Sequence, residues 1–354
     1  MIDTIAIQIP LPDFEVTKPE KFSPSADAIL RRKFYLGRKG FFSCIQNPLK
    51  KKKHSYPQLT LTVHRAKGGL RTTLGIEFSA PKLLLNNNLE ELEETDLLPL
   101  LKALQERLKE MGVEVQIEVL MRARVRKVHF SKNILLRPYT TCSMIMDELE
   151  KAKLGNRLQC SKTDYLNGGR TLRFHNNSYE WVIYDKLAEM GMKSRQLNRS
   201  LPVGQHILRL EIRLNNTSQV RKLAENETRN LTLKSLFSSE LSRALLIKQW
   251  QLAIKNLPLL AMSTNRPEDI FRCIQVQLPS MKQASHLQLL GLTLLEDSRG
   301  RNALPIIVDK KAVSRLQKLR RQSPNLGNKD FKHQEMQHIT HELRNFSFFR
   351  LAAI

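Results

Sequence analysis

Phosphodiester transfer needs a small set of chemical groups, and this sequence carries them in segments that look like β-strands. The phenol of Tyr184 can act as an oxygen nucleophile, and a tyrosine ester preserves the energy of the broken bond for rejoining. Glu77, His129 and Glu211 offer carboxylate and imidazole ligands for a divalent metal ion. Because a free phenol has a pKa of about 10, its ionisation needs a nearby cation, and Lys186 lies two residues beyond Tyr184.

Strand alternation predicts that these groups share one face of a sheet. In residues 208–214, four aliphatic side chains point to one face, whereas Glu211 and its arginine neighbours point to the other. In residues 179–184, the bulky set that includes Trp181 opposes Tyr184. The same rule places further polar residues on the open face: Glu77, Lys127, His129, Arg209 and Arg213. If the strands belong to one sheet, its open face is the candidate active site.

Each of these residues also has a purely structural interpretation. A strand tyrosine more often packs at the rim of a sheet, and a glutamate between Arg209 and Arg213 more often belongs to a cross-strand ladder of ion pairs. An isolated histidine such as His129 is more often hydrogen-bonded at the surface. The active-site interpretation therefore depends on the groups meeting in space.

The charge of the chain predicts a polyanionic partner. It contains 58 Lys and Arg against 34 Asp and Glu, a formal net charge of +24 in 354 residues. With 41% hydrophobic residues, it can bury a core of domain size, which argues against disorder. No apolar run approaches the roughly 20 residues of a transmembrane helix, and the N-terminus lacks the features of a signal peptide. We therefore expect a cytoplasmic protein that binds no membrane.

The cysteines are spread along the chain at Cys44, Cys142, Cys160 and Cys273. They form no Cys-x-x-Cys pair. This spacing argues against a zinc ribbon and against a disulfide framework.

Hydrophobic periodicity predicts an α+β chain, with an antiparallel sheet and flanking helices in residues 1–220 and a mostly helical domain in 221–354. Strands are expected at the N-terminus and near residues 59–64, 71–79, 113–120, 125–130, 170–175, 179–184 and 206–214, with a hairpin turn at 67–69. Helices are expected over 96–111, ended by Gly112, and over 141–153. The change from strands to helices places the boundary near 216–235.

Two basic segments outside these strands are further candidates for DNA contact. Helices are predicted over residues 286–297 and 309–322, and the second has a basic face formed by Lys311, Arg315, Lys318 and Arg321. Such a face suits a helix-turn-helix module in a DNA groove, although a solvated helix has the same pattern. The lysine run at 50–53 is typical of a solvated loop, with DNA contact as the alternative.

Several segments resemble the gene II/gene X replication proteins of filamentous phages. The resemblance lies in residues 172–174 and 181–189, followed by the strand at 207–214. The start at Met1-Ile-Asp3 and the segment from Ser79-Ala-Pro-Lys82 to Asn88 are also similar to that family. The order and spacing of these matches extend from residue 1 to about residue 215.

The resemblance implies roles for particular residues. Tyr184 corresponds to the family's nicking tyrosine, Lys186 to the lysine that accompanies it, and Glu211 to the glutamate of the following strand. The family commonly has Arg-hydrophobic-Asp where this chain has Lys127-Val128-His129, and imidazole suits Mn²⁺ better than Mg²⁺. Asn86 replaces a family glycine, which is a mild change because asparagine tolerates left-handed backbone angles. The DNA contacts expected are Lys82, Lys127, Arg173, Arg209 and Arg213.

We therefore expect a rolling-circle replication initiator that is a site-specific endonuclease dependent on Mg²⁺ or Mn²⁺. It would nick one strand at an origin, form a 5′-phosphotyrosyl link, free a 3′-OH primer and later rejoin the strand. Its expected partners are origin DNA, as supercoiled duplex and as single strand, together with a helicase and a polymerase in the cytoplasm of a bacterial host.

Three alternatives stay open. The main one is a non-enzymatic origin-binding initiator with helix-turn-helix modules, in which Tyr184 is structural. An RNA-binding protein is less favoured because only 6% of the residues are aromatic, and single-strand recognition relies on stacking. A metal hydrolase built on His333, His338 and His341 lacks the His-Glu-x-x-His spacing.

Overall fold

The computed structural model describes residues 1–37, 40–49, 55–137, 141–152, 154, 158–166, 169–191, 206–224, 231–257, 280–299 and 334–350, with isolated residues between 271 and 318. The strands are β1 (Ile2–Pro10), β2 (Glu15–Val16), β3 (Phe41–Gln46), β4 (Gln58–Ala66), β5 (Gly69–Ser79), β6 (Val113–Glu114), β7 (Arg124–Leu135), β8 (Gln159–Asp164), β9 (Arg170–His175), β10 (Tyr179–Asp185) and β11 (Ile207–Leu214).

The α-helices are α1 (Asp27–Leu30), α2 (Ala80–Leu85), α3 (Leu97–Met111), α4 (Ile117–Arg122), α5 (Cys142–Glu150), α6 (Lys186–Met190), α7 (Thr217–Ala224), α8 (Leu233–Leu236), α9 (Ser239–Lys255), α10 (Gln283–Arg299) and α11 (Gln334–Asn345). Short 3₁₀ helices cover Pro19–Lys21 and Glu94–Asp96. No helix among the described residues is long and apolar enough to cross a bilayer.

A large antiparallel sheet is the centre of the fold. Within the described residues it has nine strands in the order β3-β4-β5-β1-β7-β11-β10-β9-β8, and β2 pairs separately with β6. The β4–β5 hairpin turns where predicted, because Gly68 and Gly69 adopt the positive φ angles of +94° and +127° that a tight turn requires. The predicted α+β class with a large antiparallel sheet and flanking helices is confirmed.

One face of this sheet forms the hydrophobic core. Ile5, Ile7 and Ile9 of β1 are fully buried and alternate with more exposed neighbours, as the period of a strand dictates. Helix α3 contributes a stripe of buried leucines and ends at Gly112, whose φ of +83° stops the helix as predicted. Full burial of one such leucine or isoleucine contributes about 1.5–3 kcal/mol. The opposite face of the sheet is left for polar side chains.

Three of the described helices beyond residue 220 share this core. Hydrophobic side chains of α8, α9 and α11 belong to the same buried cluster as those of β1 and β7. Helix α9 packs on β7, β11 and α11, and Trp250 Nε1 donates a hydrogen bond to Thr340 Oγ1 at 2.9 Å. The domain boundary near residue 220 stays a prediction.

A buried polar network fastens the segment after α11 to the sheet. Lys132 Nζ lies 2.8 Å from Glu91 Oε2 and donates to the Ser347 carbonyl at 2.7 Å. The Phe349 amide donates to Glu91 Oε2 at 3.0 Å. Every charged group of this network has a partner, which a buried ion pair requires if it is to be tolerated.

Two local predictions differ from the structure. The strand expected at 113–120 is reduced to Val113–Glu114, and α4 follows, because its apolar residues pack against α3 and α8. The strands β3 and β8 were not predicted, since both lie at sheet edges and β8 is almost wholly exposed and polar.

The helix expected at 286–297 lies within α10. Most of the helix predicted at 309–322, and all of the lysine run at 50–53, fall outside the described residues.

Candidate active site

The open face of β7, β11 and β10 brings the predicted site residues together. Pairing of β11 with β7 places Arg213 opposite His129. Pairing of β10 with β11 places Tyr184 opposite Arg209, two residues from Glu211. Because paired residues point to the same face, side chains from three adjacent strands converge there.

The Glu211 carboxylate is the centre of this arrangement and is 1% exposed. Its Oε1 lies 3.1 Å from His129 Nδ1 and accepts a hydrogen bond from Arg213 Nε at 3.0 Å. Its Oε2 accepts a hydrogen bond from the Tyr184 hydroxyl at 3.1 Å. Burial alone would raise its pKa, but the hydrogen bond with His129 and the charges of two arginines hold the pKa of Glu211 well below its ordinary value. Glu211 is therefore an ionised carboxylate although it is buried.

Asp3 joins the cluster because β1 carries a bulge. Against β7, β1 advances three residues from Ile2 to Ile5 while its partner advances two. Strict alternation from Ile5 would place Asp3 in the core, and the bulge turns it to the open face instead. Asp3, His129 and Glu211 each offer one ligand atom, and these atoms all lie within 4.8 Å of one another.

Tyr184, the candidate nucleophile, is buried. Its side chain is 6% exposed, and its hydroxyl donates to the carboxylate of Glu211. Burial raises the pKa of Tyr184 well above its ordinary value, and the positive charge of Arg209 opposes this shift. The phenol thus keeps its proton in this state and presents an oriented oxygen.

Lys186 lies just beyond the end of β10. β10 ends at Asp185, which caps α6 by accepting a hydrogen bond from the Ala188 amide at 2.9 Å. Lys186 is therefore the first residue of α6, and its Nζ donates to Glu189 Oε2 at 2.8 Å. The ammonium group lies 5.7 Å from the centroid of the Tyr184 ring rather than at the hydroxyl. Burial lowers the pKa of Lys186 to about 8.

Arg209 was expected to contact DNA, but it is buried beneath the site. It is 2% exposed, and one guanidinium nitrogen lies 3.0 Å from Asp3 Oδ1 and donates to Ser131 Oγ at 2.8 Å. Another donates to the Asn88 carbonyl at 2.6 Å. Its Nε lies 3.9 Å from Glu211 Oε2. The charge of Arg209 therefore balances two carboxylates of the cluster instead of facing solvent.

The remaining predicted residues lie around the cluster. Glu77 was expected as a metal ligand, yet its Oε1 lies 2.6 Å from Lys127 Nζ, and Glu77 is not part of the three-residue cluster. Lys82 is exposed on α2. Arg173 is half-exposed, with its Nε 3.7 Å from Glu180 Oε2. Lys82, Lys127 and Arg173 are thus at least partly exposed, unlike Arg209.

The Asp3–His129–Glu211 cluster has a donor set that fits a divalent cation. Two carboxylates and one imidazole suit Mn²⁺, and the carboxylates also suit Mg²⁺. His129 Nε2 lies 3.4 Å from Asn215 Oδ1, a contact that orients the ring and leaves Nδ1 directed at the cluster. Two carboxylates and an imidazole that could hold a metal ion thus lie beside the Tyr184 hydroxyl in one buried cluster.

The alternative built on C-terminal histidines finds no support among the described residues. His338 Nε2 lies 2.9 Å from the Leu135 carbonyl, and His341 Nε2 lies 2.7 Å from Asn345 Nδ2. Neither belongs to a cluster of metal-ligating groups. His333 falls outside the described residues.

A groove of about 900 Å³ lies on the same sheet, apart from the cluster. Arg71 of β5 and Arg124 of β7 line it, together with Arg32. The strand pairings place Arg71 opposite His64 and Arg124 opposite Gln8. Positive charge therefore continues across the sheet beyond the site.

Sequence comparison gives one family for the chain. The family model that describes the N-terminal region of the phage gene II replication-associated protein matches residues 1–240. This match includes all strands of the sheet and each member of the cluster. A search of curated proteins gives no significant match.

Proposed function

Because this chain belongs to the family of phage gene II replication-associated proteins, we propose that it initiates rolling-circle replication by cutting one DNA strand with Tyr184. The observation that carries the proposal is the Tyr184 hydroxyl, which donates to Glu211 at 3.1 Å beside the Asp3–His129–Glu211 cluster. A nucleophile and candidate metal ligands thus share one face of the sheet.

The reaction transfers a phosphoryl group from a deoxyribose oxygen to a phenol oxygen. The Tyr184 oxygen forms a bond to phosphorus, and the bond between phosphorus and the 3′ oxygen of the preceding nucleotide breaks. The phenol proton leaves along the hydrogen bond to Glu211, and the departing 3′ oxygen takes up one proton. The products are a 5′-phosphotyrosyl protein and a free 3′-OH. Attack of a 3′-OH on the phosphotyrosine reverses these bond changes and rejoins the strand.

Asp3, His129 and Glu211 would hold the divalent cation. A bound Mg²⁺ or Mn²⁺ supplies positive charge that stabilises the charge developing on the phosphate. Arg209 holds the Asp3 carboxylate at 3.0 Å, and Arg213 holds Glu211 at 3.0 Å. These contacts fix both carboxylates before substrate arrives, which reduces the reorganisation that the reaction requires.

The partly exposed cations around the site would hold the DNA. Lys127 and Arg173 project from β7 and β9, on either side of the strands that carry Glu211 and Tyr184. Their phosphate contacts position the strand without reading its sequence. The free 3′-OH is a primer, so a host polymerase and a helicase that separates the strands are the partners this function requires.

The decisive experiment tests Tyr184→Phe against Tyr179→Phe. Both variants lose one hydroxyl from β10 with almost no change in volume, but the Tyr179 hydroxyl donates to Gln249 at 2.8 Å rather than to Glu211. The substrate is supercoiled plasmid carrying the origin of the replicon that encodes this chain, with Mg²⁺ or Mn²⁺. We expect nicking and a covalent protein–DNA adduct with the parent and with Tyr179→Phe, and neither with Tyr184→Phe.

The polarity of the link is measured with a single-stranded origin oligonucleotide. A label at its 3′ end should remain with the protein on a denaturing gel, whereas a label at its 5′ end should leave on a shorter fragment. An adduct that persists in Tyr184→Phe contradicts the proposal. The absence of an adduct in the parent, with origin binding intact, would instead identify a non-enzymatic initiator.

A further inference from the structure

Outside the site just described, Cys142, Asp185 and His206 form a second cluster of metal-ligating groups. Cys142 is the first residue of α5, Asp185 the last of β10, and His206 directly precedes β11. One ligand atom from each lies within 4.8 Å of the others. We propose that these three residues bind a second divalent cation of the zinc type.

The donor set distinguishes this cluster from the first. A thiolate, an imidazole and a carboxylate together are typical ligands of Zn²⁺, whereas a thiolate is a poor ligand for Mg²⁺ and Mn²⁺. The Asp3–His129–Glu211 cluster contains no thiol. Asp185 also points to the opposite face of β10 from Tyr184, because adjacent residues of a strand alternate. The two clusters are therefore separate sites with different metal preferences.

The spacing of the ligand atoms fits a zinc ion with little rearrangement. Asp185 Oδ2 lies 3.5 Å from His206 Nδ1. Bond lengths of about 2.0–2.3 Å in a tetrahedral site place neighbouring ligand atoms about 3.3–3.7 Å apart. The distance between Asp185 and His206 already lies in that range. The Cys142 sulfur lies within 4.8 Å of both other ligand atoms, so it needs to move by about 1 Å or less.

The surroundings orient two of the ligands and leave the third accessible. Asp185 Oδ1 accepts the Ala188 amide at 2.9 Å, which fixes the carboxylate with Oδ2 toward His206. Cys142 is buried at the start of α5, which packs against β9 and β10. The His206 side chain is 34% exposed, so an ion can enter from its side. The cluster is neither closed to solvent nor spread over the surface.

Such an ion would join three elements around the proposed nucleophile. It would fasten α5 to the end of β10, one residue from Tyr184, and to the start of β11, which carries Glu211. We therefore infer a bracing role for the cation and no direct part in bond breaking. Because only the folded chain presents the complete ligand set, Zn²⁺ should raise the thermal midpoint by about 5 °C when it saturates the site.

Cobalt substitution tests the proposal in the full chain, because Co²⁺ bound to a thiolate has a charge-transfer absorption in the near ultraviolet. Chelator-treated protein is titrated with Co²⁺, and one equivalent per chain should generate the band. Cys142→Ser should abolish it. Cys160→Ser is the matched control, since this half-buried cysteine lies on β8 away from the cluster, and it should leave the band unchanged.

Two further variants test the other ligands and guard against misfolding. Asp185→Asn keeps an N-cap for α6 but offers a weaker ligand, so the affinity for Co²⁺ should fall about tenfold or more while the circular dichroism is retained. His206→Gln, at a partly exposed position, should have the same effect. No thiolate band in the parent, a band that persists in Cys142→Ser, or unchanged affinity in both Asp185→Asn and His206→Gln would overturn the proposal.

The outcome is independent of the proposed nicking reaction. Glu211→Gln removes a ligand of the first cluster and should abolish nicking, yet it should retain the cobalt–thiolate band. Loss of that band in Glu211→Gln would show that the thiolate belongs to the same metal site as Glu211, which contradicts two separate sites.

Discussion

The hydrogen bond between Tyr184 and Glu211 joins a group that burial keeps protonated to a group that its neighbours keep ionised. Burial raises the pKa of Tyr184, whereas contacts with His129 and two arginines lower the pKa of Glu211. The proton therefore stays on the phenol until substrate and cation change the balance. Under this proposal, the state described is a resting state in which DNA is not cut.

We expect the metal preference of the proposed nicking reaction to depend on His129. His129→Ala should weaken nicking and be partly rescued by high Mn²⁺, because one ligand is lost while Asp3 and Glu211 stay in place. His129→Asp should shift the preference toward Mg²⁺, since a carboxylate is a harder ligand than an imidazole. Glu77→Gln is the control, as Glu77 pairs with Lys127 outside the cluster and its loss should leave the metal dependence unchanged. The measurement is the initial nicking rate against the concentration of each metal.

If both His129 variants nick like the parent in both metals, His129 is not a ligand. If Glu77→Gln changes the metal dependence as strongly as they do, Glu77 belongs to the metal site in the DNA-bound state.

Lys186 makes the stability of the fold depend on pH. Its pKa falls from 10.5 to about 8 because folding buries the ammonium group. Between these values the unfolded chain binds more protons than the folded one, so this residue makes the free energy of unfolding rise with pH over that window. Its destabilising effect is greatest below pH 8 and disappears above 10.5.

Lys186→Met removes this effect while keeping most of the volume. The free energy of unfolding of Lys186→Met minus that of the parent should decrease by about 3 kcal/mol from pH 7 to pH 10.5. Urea unfolding across that range measures the difference, and titration of other groups cancels in it. If the difference in the free energy of unfolding stays constant with pH, folding does not lower the pKa of Lys186.

At the scale of elements, much of the site could be predicted because a strand repeats every two residues. Alternation placed Tyr184, Glu211 and His129 on one face, and the pairing of β10, β11 and β7 brings them together. Alternation failed at Asp3, because a bulge is decided by how two strands pair and leaves little trace in either strand alone. The sequence did contain one sign of the bulge: Asp3 occupies a strand position that is otherwise apolar, and burying its carboxylate in the core would be costly.

Depth within the fold was the second property that alternation could not predict. Strand alternation placed Arg209 on the polar face, but it could not show that neighbouring groups bury the Arg209 side chain there. It also could not show that the Asp185 cap begins a helix directly after β10, at Lys186. Edge strands such as β8 lack an apolar face, so no hydrophobic pattern marks them.

Helix α3 ends at Gly112, where both the backbone angle and a close neighbouring side chain require glycine. Gly112 has a φ of +83°, and a Cβ added there would lie 2.4 Å from Lys18 Cβ. Gly112→Ala should therefore lower the free energy of unfolding by about 2 kcal/mol or more, from backbone strain and steric overlap together. Gly68→Ala is the control: its φ is +94°, but no atom lies within 4 Å of the added Cβ, so only the strain should remain. Equal losses in urea unfolding would mean that the Lys18 contact costs nothing.

At the scale of the whole molecule, the net charge of +24 should govern DNA affinity. If six or more phosphates are engaged, affinity for random duplex should fall by about 10³-fold between 50 and 200 mM salt. Arg71 and Arg124 line the groove on the same sheet, so the double variant Arg71→Gln/Arg124→Gln should reduce the salt slope by about 2 for every sequence tested. Fluorescence anisotropy measures both quantities. A nearly salt-independent affinity would contradict phosphate-dominated binding, and an unchanged slope would place the DNA elsewhere.

The buried network around Lys132 and Glu91 can be completed only late in the synthesis of the chain. Lys132 receives its carbonyl partner from Ser347, which lies 215 residues further along the chain. At a translation rate of about 5–20 residues per second, this partner leaves the ribosome roughly 10–40 s after the lysine itself. During that interval the Lys132–Glu91 pair lacks its hydrogen bonds with Ser347 and Phe349. The ribosome thus sets a delay between synthesis of the strands and completion of the fold that holds the site.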